Sequence, residues 1–119
     1  LMYRGTEMII DSQSSKLKES SISNKSPLVS ILINNYNYAQ YLSQAIDSAL
    51  GQTYTNTEII VVDDGSTDNS REIINSYGNQ IISVLKENGG QASAINAGFA
   101  ASKGDIICLL DADDIFLPD

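Results

Sequence analysis

Four short apolar runs, each ending in a polar turn, constrain this chain more than any other feature. They are Val29-Ser30-Ile31-Leu32-Ile33, Ile59-Ile60-Val61-Val62, Ile81-Ile82-Ser83-Val84-Leu85 and Ile106-Ile107-Cys108-Leu109-Leu110. They are continuously apolar and largely β-branched, the pattern of strands buried on both faces. After the first run, Tyr38, Tyr41, Leu42, Ala45, Ile46, Ala49 and Leu50 repeat at helical spacing and predict one face of an amphipathic helix, with Gly51 as its stop. A short helix is predicted from Asn69 to Tyr77, with Ser66, Thr67 or Asp68 as its cap and Gly78 as its stop. A third helix, of small residues, is predicted from about Gln91 to Ser102 and is closed by Gly104. Strands that alternate with helices predict an α/β fold: a Rossmann-like parallel sheet of about four strands with helices on both faces. Right-handed crossovers then bring every strand's C-terminal end to one edge, where open α/β sheets bind ligands.

The polar residues collect on that edge. Asn34 to Asn37 follow the first run, Asp63 to Ser66 the second, Lys86 to Gly90 the third and Asp111 to Asp114 the fourth. In extended backbone, residues i and i+2 point the same way, so Asp111 and Asp113 can converge on one point. A hard cation such as Mg²⁺ or Mn²⁺, shared with a substrate's phosphates, would relieve their repulsion. The plainer alternative is a polar turn with one Asp capping a following helix. An ionised Asp63 or Asp64 only accepts hydrogen bonds, which suits reading an N–H such as that of a nucleobase, and equally suits a turn and helix cap. Tyr36, beside polar neighbours, offers a ring for stacking or simply packs. Asn88-Gly89-Gly90-Gln91 matches neither a dinucleotide fingerprint nor a P-loop; it reads as a strand-to-helix turn or as a close backbone approach to a sugar.

Composition narrows the partners. Residues 27–119 carry three basic and twelve acidic side chains, within a chain of net charge −8. That excludes nucleic acid bound through its phosphates, and it leaves an anionic ligand needing a metal intermediary. With no His and a single cysteine, Cys108, zinc is excluded, and so is a disulfide framework. Cys108 reads as a small buried hydrophobe in a chain suited to a reducing, cytoplasmic compartment. No apolar run is long enough to span a membrane. Residues 1–26, rich in Ser and Lys, read as a disordered tail or linker, leaving one domain over 27–119. The chain begins at Leu1 and stops at Asp119 just after a motif, so it is expected to be part of a longer protein, truncated at its C-terminus.

Five segments, VSILINNYN (29–37), SALGQTY (48–54), TEIIVVDDGSTDNS (57–70), ENGGQASAINAGFAASKGD (87–105) and IICLLDADDIFLPD (106–119), together resemble the N-terminal, nucleotide-sugar-binding half of glycosyltransferase family 2, which has the GT-A fold. The resemblance implies a transferase, of inverting type, that moves a sugar from a nucleotide-diphosphate donor, a UDP-sugar for preference, to a saccharide, lipid or protein acceptor in polysaccharide or cell-wall synthesis. It implies that Tyr36 stacks on uracil beside Asn34 and that Asp64 accepts the base's N–H. Asp111 would contact the ribose or a metal-bound water, and Asp113 would ligate Mn²⁺ or Mg²⁺. The chain departs from the family pattern at Ile95, where many relatives carry an Arg that meets phosphate. More of the phosphate charge then falls to the metal, with Lys86 as a helper. The family's catalytic base is expected beyond Asp119, as is any membrane association of the full-length parent at the inner face. Two other readings remain: a non-catalytic nucleotide-binding module, and a haloacid-dehalogenase-type phosphatase, whose DxD nucleophile LLDADD resembles although here it closes the chain.

Overall fold

The structure, a computed structural model, describes residues 2–3 and 27–112. Over these residues the strands are β1 (Met2–Tyr3), β2 (Val29–Asn35), β3 (Thr57–Asp64), β4 (Ile82–Lys86) and β5 (Ile106–Asp111), and the helices are α1 (Ala39–Leu50), α2 (Ser70–Ser76) and α3 (Gln91–Ala101). They form one sheet in the order β1-β5-β2-β3-β4. The four apolar runs pair in parallel, and β2, β3 and β5 are largely buried as their continuous hydrophobicity predicts; β4, at the edge of the sheet, departs from that expectation, with Ile82 and Leu85 exposed. A second feature differs from the sequence expectation. Met2 and Tyr3, inside the segment read as tail, pair antiparallel with Ile107 and Ile106 and extend the sheet to a fifth, edge strand. A two-residue strand carries no periodicity for sequence reading to detect.

Strand parity sorts the core into two layers. Ile31, Ile33, Val61 and Cys108 face α1 and α2, packing with Leu42, Ala45, Ile46, Ala49 and Ile74. Leu32, Ile60, Val62 and Ile107 face α3 and pack on Ala94. The small residues of α3 let it lie close to the sheet: a side chain at Gly98 would meet Leu32 Cδ2 at 2.8 Å and Val62 Cγ2 at 2.9 Å. The predicted face of α1 is narrower than its periodicity suggested. Leu42, Ala45, Ile46 and Ala49 are buried, whereas Tyr38, Tyr41 and Leu50 are exposed. Tyr38 precedes the helix as its N-cap residue, so helical spacing does not apply to it.

The chain moves outward from β2 through β3 to β4, then returns by way of α3 to place β5 on β2's other side. The strand order therefore reverses between β2 and β5. At such a switch point the connections leave in opposite directions and open a crevice at the strands' C-terminal ends. Among the described residues, no helix is long and apolar enough to cross a membrane.

Candidate functional site

The crevice is a cleft of about 370 Å³ lined by Asn34, Tyr36, Tyr38, Asp64, Asn88, Gly90, Gln91 and Asp111. The four nucleotide-site candidates from the sequence, Asn34, Tyr36, Asp64 and Asp111, thus share one cavity. Register accounts for part of this, since Asn34 and Asp111 are direct partners across β2 and β5. Parity accounts for more. Asn34, Asp64 and Asp111 continue the rows of Leu32, Val62 and Leu109 and stand on the α3 side of the sheet. A smaller cavity of about 170 Å³, with an apolar floor that includes Ile95 and Leu109, adjoins the cleft at Asn34, Gln91 and Asp111.

The consecutive aspartates at the end of β3 serve opposite faces. Asp63 is fully buried on the α1 side. It accepts from Asn35 Nδ2 (2.9 Å), Ser66 N (3.0 Å), Ser66 Oγ (2.5 Å) and Arg71 Nε (2.9 Å). Arg71 also donates from Nη2 to the Lys86 carbonyl at 2.8 Å, tying α2 to β4. Asp64, 3% exposed, lines the cleft. Its Oδ1 accepts from Lys86 Nζ and Gly89 N, each at 2.9 Å, and its Oδ2 from Gly90 N at 3.0 Å and Asn88 Nδ2 at 3.3 Å. Each oxygen holds two donors, so the carboxylate's acceptor capacity is filled by the chain itself. Lys86 is committed as well: its ammonium pairs with Asp64 and donates to the Glu87 carbonyl at 2.7 Å. Its expected role as a phosphate helper would therefore compete with this pairing, because a buried carboxylate requires a nearby counter-charge. The Asn88–Gly90 turn, open between a plain connection and a sugar contact on sequence, is the wall that Asp64 holds in place.

The other wall is locked from both sides. Asn37 stands in the left-handed region at φ 57°. Its Oδ1 accepts from Thr67 N at 2.8 Å and Asp68 N at 3.3 Å, and its own N–H donates to Ser66 Oγ at 2.9 Å. Asp68 accepts from Ala39 N at 3.0 Å and from Ser70 N at 3.0 Å, so one carboxylate serves the first turns of both α1 and α2. The N-cap residue of α2 is Asn69, not one of the three expected, and its side chain makes no capping bond; Asp68, one residue earlier, accepts from Ser70 N instead. Sequence reading had no signal for Asn37 as a hub, since its partners Ser66, Thr67 and Asp68 are about 30 residues away; Asp63 binds nearby Ser66 and Arg71 as well as the distant Asn35.

Burial pushes the carboxyls of Asp63, Asp64 and Asp68 upward, but the donors gathered on each outweigh it and leave all three below the ordinary carboxylate range. A folded value below the unfolded one gives stability that is fully present above the unfolded value, near pH 4, and is lost as pH falls through the folded values. The urea midpoint is therefore expected to stay level from pH 7 to about pH 4.5 and to fall steeply below pH 4. A level midpoint down to pH 2.5 would contradict these networks. Burial pushes the Cys108 thiol up to about 11, which fits an inert core residue.

Among the described residues, no three acidic, His or Cys side chains converge to hold a metal. Asp111, exposed at the end of β5, places one carboxylate in the lining of the cleft. Asp113 and Asp114 lie outside the described residues. One carboxylate with open space beside it fits a cation completed by waters and a ligand's phosphates, and does not fit an all-protein cage.

A family model described as "Glycosyl transferase family 2" matches residues 30–119. An uncharacterized glycosyltransferase of Nostoc sp. is 51% identical over 94 residues, covering 76% of this chain and 29% of that protein. The hyaluronan synthase of Pasteurella multocida is 48% identical over 104 residues, covering 85% of this chain and 11% of that protein. The chain thus spans less than a third of the length of these relatives. Among solved structures, a mannosyltransferase of Pyrobaculum calidifontis in complex with GDP-Man and Mn²⁺ superposes with a TM-score of 0.66 at 27% identity, covering 75% of this chain and 28% of that one. Residues 1–349 of S. aureus TarS in complex with UDP-GlcNAc give 0.65 at 28% identity, covering 73% and 27%.

Proposed function

Because this chain belongs to glycosyltransferase family 2, we propose that it forms the donor-binding part of a glycosyltransferase and holds a nucleotide-diphosphate sugar, a UDP-sugar for preference, with Mn²⁺ or Mg²⁺ in the cleft. Family membership displaces the phosphatase reading of the same Asp pair. The observation that carries the proposal is the convergence of Asn34, Tyr36, Asp64 and Asp111, from the ends of β2, β3 and β5, on one cavity. Solved relatives that hold GDP-Man with Mn²⁺ and UDP-GlcNAc support a nucleotide-sugar ligand and a divalent cation. They carry different bases, so the preference for uridine rests on the family resemblance alone.

In this reading the ring of Tyr36, 45% exposed, stacks on the base. Asp64 acts first by fixing the Asn88–Gly90 wall, and it meets a base N–H directly only when one of its four present donors yields. Asp111 and Asp113 hold the cation. Bound there, a divalent cation neutralises the diphosphate and stabilises it as a leaving group. The electrostatics of the described residues favour this. Arg71 and Lys86 are paired with Asp63 and Asp64. Lys103 lies between α3 and β5, at the opposite edge of the sheet. The diphosphate therefore meets no uncommitted cationic side chain among the described residues. The acceptor (saccharide, lipid or protein) and the base that deprotonates it are assigned to the remainder of the parent protein. The proposed location is cytoplasmic, at the inner face of the membrane.

Calorimetric titration tests the proposal. Mn²⁺ is expected to tighten UDP binding by on the order of tenfold or more, while uridine, without phosphates, binds equally with and without the metal. Asp113→Ala is expected to remove the metal dependence and leave the fold intact. Folded protein that gives no heat with UDP under either condition would sink the reading.

A further inference from the structure

Tyr38 is left unexplained by packing. Helical spacing assigned it to the core face of α1, yet its side chain is 44% exposed and its ring touches that of Tyr41, itself exposed, at 6.3 Å between centroids and a 49° tilt. Its backbone, by contrast, is held firmly. The carbonyl accepts from Tyr41 N at 2.9 Å and Leu42 N at 3.0 Å. The residues on either side, Asn37 and Ala39, are bonded to the Ser66–Asp68 turn. A rigid backbone thus holds Tyr38, with its exposed ring, in the lining of the same cleft as Tyr36 and Asp64. Large apolar surface held in water beside a ligand cavity is covered at least cost by a flat apolar ligand face, and a nucleobase has one.

We propose that Tyr38 is a second base-binding aromatic of the cleft, which with Tyr36 covers the planar base of the donor nucleotide. This rests on the donor-site reading above. The ring provides the binding surface and the hydroxyl is dispensable. Stacking is tolerant of base identity, so Tyr38 adds affinity for the nucleoside part of the ligand and none for its diphosphate.

The test is calorimetric titration of UDP with Mn²⁺, and of uridine alone, into the full chain and into Tyr38→Ala, Tyr38→Phe and Tyr36→Ala. Tyr38→Ala is expected to weaken UDP and uridine by the same factor, about tenfold, with an unchanged urea midpoint, since the backbone carbonyl that opens α1 is retained. Tyr38→Phe is expected to bind both within about twofold of the parent chain. Three results would overturn the assignment: parental affinity in Tyr38→Ala, a loss confined to UDP, or a loss as large in Tyr38→Phe. If Tyr36→Ala is weakened while Tyr38→Ala is not, the donor site stands and Tyr38 is no part of it. If the unsubstituted chain binds neither ligand, the donor-site reading fails and this assignment fails with it.

Discussion

Asp63→Ala is expected to destabilise the chain by about 2–4 kcal/mol, although Asp63 never reaches the cleft. The carboxylate is fully buried and gathers four donors from β2, the β3–α2 turn and α2. Removing it leaves Ser66 N–H and Oγ without their acceptor and takes the ion-pair partner from Arg71, whose half-exposed guanidinium water can still reach. It also takes a partner from the buried Asn35, whose Oδ1 already lacks one among the described residues. An unmet buried polar group costs about 1–3 kcal/mol, and the loss of the half-exposed Arg71 partner adds at most about 1 kcal/mol. Asp63→Asn keeps the shape but turns an N–H₂ toward groups that are themselves donors, so it should recover only part of the loss. Urea unfolding followed by circular dichroism measures both. An Asp63→Ala midpoint equal to that of the parent chain would show that the network contributes nothing.

The contrast between Asp63 and Asp64 shows how far the sequence could be read. The apolar runs marked where strands would lie, and the polar residues after each run marked which edge would carry function. Strand alternation, applied to Asp63 and Asp64, separates them onto opposite faces. It does not say which helix covers which face, because that depends on the direction of the return through α3. Asn34, Tyr36, Asp64 and Asp111 were legible as site candidates because each sits at a strand end. Tyr38 was misplaced because the helix begins at Ala39, one residue after it, and helical spacing does not mark where a helix starts. The saturation of Asp64 was not legible at all. Its donors Lys86, Asn88, Gly89 and Gly90 come from a different strand end, and only the pairing of Asp64 with Lys86 across β3 and β4 brings them within reach.

That pairing makes Gly65 the most exacting glycine of the cleft. Gly65→Ala is expected to cost about 2–4 kcal/mol and to weaken UDP binding with it. Two causes add. The backbone at Gly65 has φ +80°, where an L side chain is strained by about 1–3 kcal/mol. A Cβ there would also lie 2.5 Å from the Asn88 backbone nitrogen, and backbone cannot turn aside as a flexible side chain can. Relief requires moving the Asn88–Gly90 wall, and with it the contacts to Asp64 that shape the cleft. Gly78 supplies the control. It too has a left-handed backbone, φ +55°, but a Cβ there would meet nothing within 4 Å, so Gly78→Ala isolates the strain from the collision. The expected order is a modest loss of stability with UDP affinity intact for Gly78→Ala, and a larger loss with weakened UDP binding for Gly65→Ala. Equal unfolding midpoints for the two variants would mean that the β3 turn and the β4–α3 wall do not bear on each other as the geometry requires.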